Sequence, residues 1–322
     1  MGYGTNNHLG VSFQNSFGTS NQDSMHYFPI ISESLTEGIP EVESEAVRGR
    51  HEAGDSYEGM HEYAGDVVFD GHPILLGKML KAWFGQSSGS LVASHYSHEF
   101  SPILQDFDNL AAVPPMSIEI YRDSGSAHLF SDMLCNQLVI EVAHGAIVKA
   151  TASMIGANRT KIEKTTPSYL PGSDYTFDQA SFSFQGSQGG ELDLMQNITY
   201  TLNNQLEATG TLNGTKRPSR IKRNGFRMIE ISGTMLFEND NEHDHFLNSA
   251  QQRVVATLTG QEVSSGFNAS LEMDIPSFRY TDYPPNMGGP GLMTVSFGAK
   301  AKYNAGSGTM AKFTMVNTLS EY

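Results

Sequence analysis

Four short patterns occur twice in this 322-residue chain, in the same order. Ser12-Phe13-Gln14-Asn15-Ser16-Phe17-Gly18 is answered by Ser183-Phe184-Gln185-Gly186-Ser187-Gln188-Gly189, and Glu62-Tyr63-Ala64-Gly65-Asp66-Val67-Val68-Phe69 by Glu230-Ile231-Ser232-Gly233-Thr234-Met235-Leu236-Phe237. Gly85-Gln86 then matches Gly260-Gln261, and Met154-Ile155-Gly156-Ala157 matches Ser296-Phe297-Gly298-Ala299. Self-similarity of this kind predicts two like units in one chain. The length accommodates two domains of ordinary size. The expected units are residues 1–164 and 174–322, joined by a Pro/Gly/Ser-rich linker over 165–173. Two like units occupy adjacent positions of a ring, so three chains would imitate six-fold symmetry.

Within each unit the apolar residues recur with period two, as in Ser117–Tyr121, Gln137–Val142, Lys149–Met154, Ile198–Leu202, Val254–Leu258 and Leu292–Phe297. That spacing predicts strands with one buried face. His144-Gly145 between two such runs predicts a hairpin turn. One helix stands out: Asp70 is placed to cap it, Pro73 lies in its first turn, and Leu75, Leu76, Met79, Leu80, Trp83 and Phe84 form a stripe at helical spacing. Its counterpart is expected after Phe237, led in by Asp244 and running through His245 to Gln251. The fold class is therefore mainly β (α+β): two tandem antiparallel β-sandwiches, each with a flanking helix and a long loop.

The formal net charge is −15, which repels polyphosphate and argues against a broad nucleic-acid-binding face. No apolar run approaches the roughly 18 residues of a membrane-spanning helix, and Met1 to Asn7 has neither a basic head nor an apolar stretch of the secretory kind. Cys135 is the single cysteine, so no intrachain disulfide can form and a reducing cytoplasm is the expected place of synthesis. Accordingly the Asn-x-Ser/Thr sites at Asn158, Asn197, Asn213 and Asn268 are read as accidental.

The sharpest electrostatic signal is the opposite charge of two long loops. Thr36 to Tyr57 carries Glu37, Glu41, Glu43, Glu45, Glu52 and Asp55, relieved by Arg48 and Arg50; Asn213 to Phe226 carries Lys216, Arg217, Arg220, Lys222 and Arg223. Both loops are simply solvated, or they are arms that touch the next subunit or ring, where complementary charge sets register and speeds association; a nucleic-acid patch is a third reading of the basic loop, disfavoured by the lack of interleaved aromatics and the acidic remainder. Glu43, Glu45, Arg48, Arg50, Arg217, Arg220, Lys222 and Arg223 are the candidate contact residues. His243-Asp244-His245, beside Glu238, Asp240 and Glu242, lacks the fixed-spacing partners of a zinc site and the Gly of a calcium loop, and is read as a solvated acidic segment. Gly71 to Met79 has the wrong spacing for a phosphate loop. No nucleophile elbow or paired acid and base emerges, so no catalytic, cofactor-binding or metal-binding residue is assigned and no cofactor is expected.

Ser44-Glu45-Ala46-Val47-Arg48-Gly49-Arg50, then Ser56-Tyr57-Glu58-Gly59, Gly65-Asp66-Val67, Pro73, Leu76-Gly77 through Leu80-Lys81-Ala82, and Gly125-Ser126-Ala127-His128-Leu129-Phe130 together resemble the tail tube (major tail) proteins of long-tailed phages. The resemblance runs over most of the chain. It implies a non-enzymatic virion protein built as a β-sandwich, assembled in rings whose inner strands form one barrel, with rings stacked into the conduit for the genome. It further implies partners among other tail proteins (tape measure, terminators, baseplate), contact with DNA only in transit, no membrane association, and assembly in the host bacterial cytoplasm. Simple family members form hexameric rings. The duplication here leads us to expect trimeric, pseudo-hexameric rings, with a hexamer as second choice. A tail fibre or receptor-binding module is the alternative, and a polysaccharide hydrolase a more distant one.

Overall fold

The computed structural model describes residues 3–52, 54–92, 95–103, 111–185, 190–191, 193–264, 266–285 and 291–322. Strands dominate, and among the described residues the α-helices are α1 (Pro73–Phe84) and α2 (Asn241–Leu247). All the expected period-two runs lie in strands except that Leu292 and Met293 precede Thr294–Ala301. The His144-Gly145 turn joins Ala127–Ala143 to Lys149–Gly156, with Gly145 at φ +77.

Each half follows one pairing order. In the first, His8–Phe13 pairs with Met116–Tyr121, which pairs with the start of the long strand Ala127–Ala143; the rest of that strand pairs with Lys149–Gly156, and this with Glu62–Asp70. In the second, Ala180–Gln185 pairs with Gln252–Ser264, and this with the long strand Phe267–Asp282 from Phe267 as far as Phe278. The end of that strand pairs with Thr294–Ala301, and this with Met228–Leu236. Two bulges recur: register shifts fall between Met116 and Ile118 and between Cys135 and Gln137 in one half, and between Gln252 and Val254 and between Tyr280 and Asp282 in the other, where Thr259/Glu262 and Glu262/Ser264 add two more without a counterpart. A bulge adds a residue to one strand and bends it, so it marks a definite position in a fold.

The sequence matches fall unevenly on this scheme. Glu62–Asp70 and Met228–Leu236 are both nine residues long, so their ends place Glu62 with Met228, two residues from the sequence match to Glu230. Lys149–Gly156 and Thr294–Ala301, eight residues each, place Met154 with Ala299, three residues from Ser296. Gly85 and Gly260 occupy unlike places: Gly85 ends α1 at φ +91, whereas Gly260 is inside a strand. The Ser183-to-Gly189 match ends in residues 186–189, outside the described residues.

Helix α1 differs from its expected form. His72, not Asp70, is its N-cap: the ring Nδ1 accepts from the Ile74 amide at 3.3 Å, and Pro73 follows at the first helical position. Nor is one face wet, because Gly77 and Lys78 are buried along with the apolar stripe. The C-terminal Tyr322 packs on Gly77, where a Cβ would meet its ring, and its backbone oxygen accepts from Lys81 Nζ. α2 starts earlier than expected, at Asn241, because Asp240 rather than Asp244 stands at its N-terminus. One continuous apolar core draws on both halves, from Leu9 and Trp83 to Tyr200 and Phe313.

A buried polar network holds the start of the linker. Glu119, 1% exposed, sits 3.1 Å from His8 Nε2 and accepts from the hydroxyls of Tyr27 (3.0 Å) and Thr165 (2.9 Å). Removing the carboxylate leaves the buried His8 ring and Tyr27 hydroxyl without their partner, whereas exposed Thr165 can turn to water. Glu119→Ala is therefore expected to lower unfolding free energy by about 3 kcal/mol or more, read by urea denaturation. Burial, with Lys81 close by, pulls Lys78 down to about 8 from its usual 10.5. Between those values the unfolded chain keeps a proton that the native state has shed, so stability rises with pH across that window. Lys78→Met is expected to flatten this rise and to add up to roughly 3 kcal/mol below it, measured by melts at successive pH values.

Candidate functional site

The strand pairs join the halves into one antiparallel sheet. Its order is Ser32–Glu33 with Thr36–Gly38, Glu62–Asp70, Lys149–Gly156, the end of Ala127–Ala143, Met195–Asn203, Met228–Leu236, Thr294–Ala301 and the end of Phe267–Asp282. At the junction Leu138 faces Leu202, Ile140 faces Tyr200 and Val142 faces Ile198, all buried. Because side chains alternate, the residues between them point the other way.

That second face is polar and uncovered except at one end, where the basic hairpin lies over Ile155. It presents Thr151 and Ser153, Gln137, Val139 and Glu141, Thr199, Thr201 and Asn203, Glu230, Ser232 and Thr234, and Ser296. Its lysines stand beside acids. Lys149 is in register with Asp70 on one side and Glu141 on the other, and Lys300 Nζ lies 2.8 Å from Glu230 Oε1. Arg279, exposed and in register with Lys300, adds a cation at the far end; over the rest of the face, hydroxyls, amides and lysines set beside acids give a polyanion little to grip.

Among the described residues the sheet has two edges. The edge segment of Ser32–Glu33 and Thr36–Gly38 is pinned by two arginines, Arg122 just past Met116–Tyr121 and Arg159 of Asn158–Ile162. Arg122 makes a two-pronged contact with Glu33 (2.6 and 2.8 Å), and Arg159 reaches Glu37 at 3.0 Å. Although burial opposes it, hydrogen bonding from His61 and Tyr63 and the Arg159 charge hold the Glu37 carboxyl below its usual range. Burial, and then Glu37, push the Tyr63 hydroxyl up to about 12. Gly65, at φ +153, lets this edge approach closely, since a Cβ there would lie 2.5 Å from the Ser34 carbonyl oxygen. The opposite edge ends at Asp282.

Both charged loops fold into hairpins, a pairing that loop composition did not announce. In the acidic one Glu41 faces Glu58, Val42 faces Tyr57 and Glu43 faces Ser56, all exposed. Like charges opposite one another are unfavourable, and Lys216 Nζ answers one of them by pairing with Glu58. Glu45, Arg48 and Arg50 lie exposed between the two strands. In the basic one, Leu206–Thr209 pairs with Arg220–Arg223, and Leu206, Ala208 and Ile221 pack on Leu134, Ile155, Ala157 and Ala111–Val113 of the first half. Its charges are placed unequally. Arg217 and Arg220 are exposed and Lys222 is partly buried, whereas Arg223 turns inward to bond Asn204 O at 2.9 Å and Oδ1 at 3.0 Å. The hairpins also touch within one chain, through Lys216 with Glu58 and the His61 amide with Lys216 O at 2.7 Å. The sequence missed Asn204, which is fully buried and gives its Nδ2 to the carbonyls of Trp83 and Cys135.

Of the other sequence motifs, His243 stacks near Phe246 and Tyr283, and the Tyr280 hydroxyl donates to Glu242 at 2.7 Å. Cys135 is fully buried, and burial pushes its thiol far up. Among the described residues no group of three His, Cys, Asp or Glu could hold a metal ion.

Ile221 fixes the basic hairpin to the first half. Ile221→Ala should cost about 2–4 kcal/mol and speed cleavage by trypsin between Lys216 and Arg223, followed by mass spectrometry.

Comparison with known proteins gives one family: the sequence model described as phage tail tube protein matches residues 4–301. No curated protein matches the chain.

Proposed function

The chain belongs to the phage tail tube family, and from that premise we propose that it closes rings with copies of itself and that stacked rings form the genome conduit. The family makes it a structural component of the phage tail that associates with itself and with other tail proteins. The observation that supports the finer reading best is the continuous sheet through both halves, open and polar on one face and ending in two unclosed edges. Exposed edges are a liability in an isolated protein, and joining them to neighbours removes it. On this reading the open face lines the lumen. Each half brings four strand positions to the sheet, so three chains would supply a barrel of about two dozen strands, wide enough for an open bore. Apart from Arg279 at its far end, the wall consists of hydroxyls, amides and lysines set beside acids, which lets a polyanion slide.

We further propose that residues 1–164 and 174–322 are tandem copies, supported by the shared pairing order and bulges. Three chains then place six like units around the axis. The acidic and basic hairpins act as contact arms. Exposed Glu43, Glu45, Arg48, Arg50, Arg217 and Arg220 are available to neighbouring copies, while Lys222 and the inward-turned Arg223 shape the basic arm. Assembly inside the host bacterial cytoplasm fits a chain with one buried thiol.

Negative-stain microscopy of the purified protein is expected to show rings or tubes. Native mass spectrometry of isolated rings should give three chains per ring; six would refute that count, and a protein that stays a lone globule would refute the assembly itself.

A further inference from the structure

The basic hairpin shows how one half receives the hairpin of the other, and the shared bulges carry that junction onto a second place in the fold. Matching the bulge between Cys135 and Gln137 to that between Tyr280 and Asp282 puts Leu134 with Arg279, Ile155 with Lys300 and, one residue past the strand end, Ala157 with Lys302. The bulge pairs Met116/Ile118 and Gln252/Val254 give the same offset for the long strands, since Met133 falls on Phe278 and Phe130 on Ile275. The hairpins correspond through their registers. Leu206 opposite Arg223 matches Glu41 opposite Glu58, so Ala208 falls on Glu43 and Ile221 on Ser56.

The chemistry changes on both sides of the junction together. Within the chain, apolar Leu206, Ala208 and Ile221 lie on apolar Leu134, Ile155 and Ala157. At the corresponding positions the hairpin carries Glu41, Glu43 and Ser56, and the receiving surface carries Arg279, Lys300 and Lys302, all exposed. A hairpin cannot occupy both places in one molecule, because the receiving surface of the second half lies at the far edge of the sheet from Ser32–Gly38. We propose that the acidic hairpin of one chain docks on Arg279, Lys300 and Lys302 of the next chain. It would sit there as the basic hairpin sits on Leu134, Ile155 and Ala157, with Thr36–Gly38 brought alongside residues 282–284. The occupant is a second copy of this chain, and the contact is head-to-tail, as ring closure requires. Lys300 shares its charge with Glu230, both nearly half exposed, so that pair rearranges at little cost. This inference rests on the ring reading and names its seam.

The test uses the full-length protein. Glu41→Lys with Glu43→Lys, and separately Arg279→Glu with Lys302→Glu, are each expected to reduce ring formation by about tenfold or more at physiological salt, with unchanged near-UV circular dichroism. All four substitutions in one chain should restore rings. Wild-type rings built from isotopically heavy and light chains and treated with a carbodiimide should yield heavy–light cross-links joining Glu41 or Glu43 to Lys300 or Lys302. Reversed variants that still form rings, or wild-type rings cross-linked between chains elsewhere but not here, overturn the docking and leave the tube reading standing. A wild-type protein that never assembles sinks the tube reading and this seam with it.

Discussion

The junction of Gln137–Ala143 with Asn197–Asn203 is the contact on which the rest depends. Its backbone ladder fuses the two half-sheets, and its three buried apolar pairs make the core of one half continuous with that of the other. Asn204 closes the end of this seam. Its amide donates to Asn136 O at 2.8 Å, its side chain satisfies the carbonyls of Trp83 and Cys135, and its oxygens accept from Arg223 and Arg227. A fully satisfied buried amide fixes one geometry, because any shift leaves several groups without partners. The seam thereby fixes the basic hairpin, which springs from Leu206 two residues on, and with it the orientation of one half against the other.

Much of this architecture is legible because strands announce themselves by period two, and runs such as Lys149–Met154 and Ile198–Leu202 alternate between buried and half-buried or exposed positions. The helix was legible from its stripe, but its cap was not: Asp70 is the better capping residue by type, yet the Asp70 carbonyl already accepts from the His72 amide at 2.6 Å, and the imidazole takes the role. The peptide matches and the strand ends differ by two and three residues, since Gly and alternating apolar residues recur at many offsets in any strand. Backbone registers and bulges distinguish offsets that composition does not. Composition marks the two charged loops as solvated segments or as contact arms. Their hairpin pairing was not foreseen, because Glu and Lys are poor strand formers and cross-strand contact decides such cases. Arg279, Lys300 and Lys302 drew no notice at all: they come from separate elements, and only the sheet gathers them.

The contrast between the two junctions follows from when each would form. A junction within the chain is made during folding, at high effective concentration, and an apolar contact such as Ile221 on Leu134 is hidden from the moment it forms. A junction between chains must stay soluble until a partner arrives. Apolar residues on both of its faces would leave two exposed patches on every free subunit, each able to pair with the wrong surface. Carboxylates on the hairpin and cations on the receiving face avoid this, since like faces repel and unlike faces attract over about 10 Å at moderate salt. The exposed acids of the hairpin contribute to a chain whose net charge is −15, which favours solubility and discourages unguided association. Charge at one seam and apolar packing at the other would let two equivalent contacts in one ring form in a fixed sequence, folding before assembly.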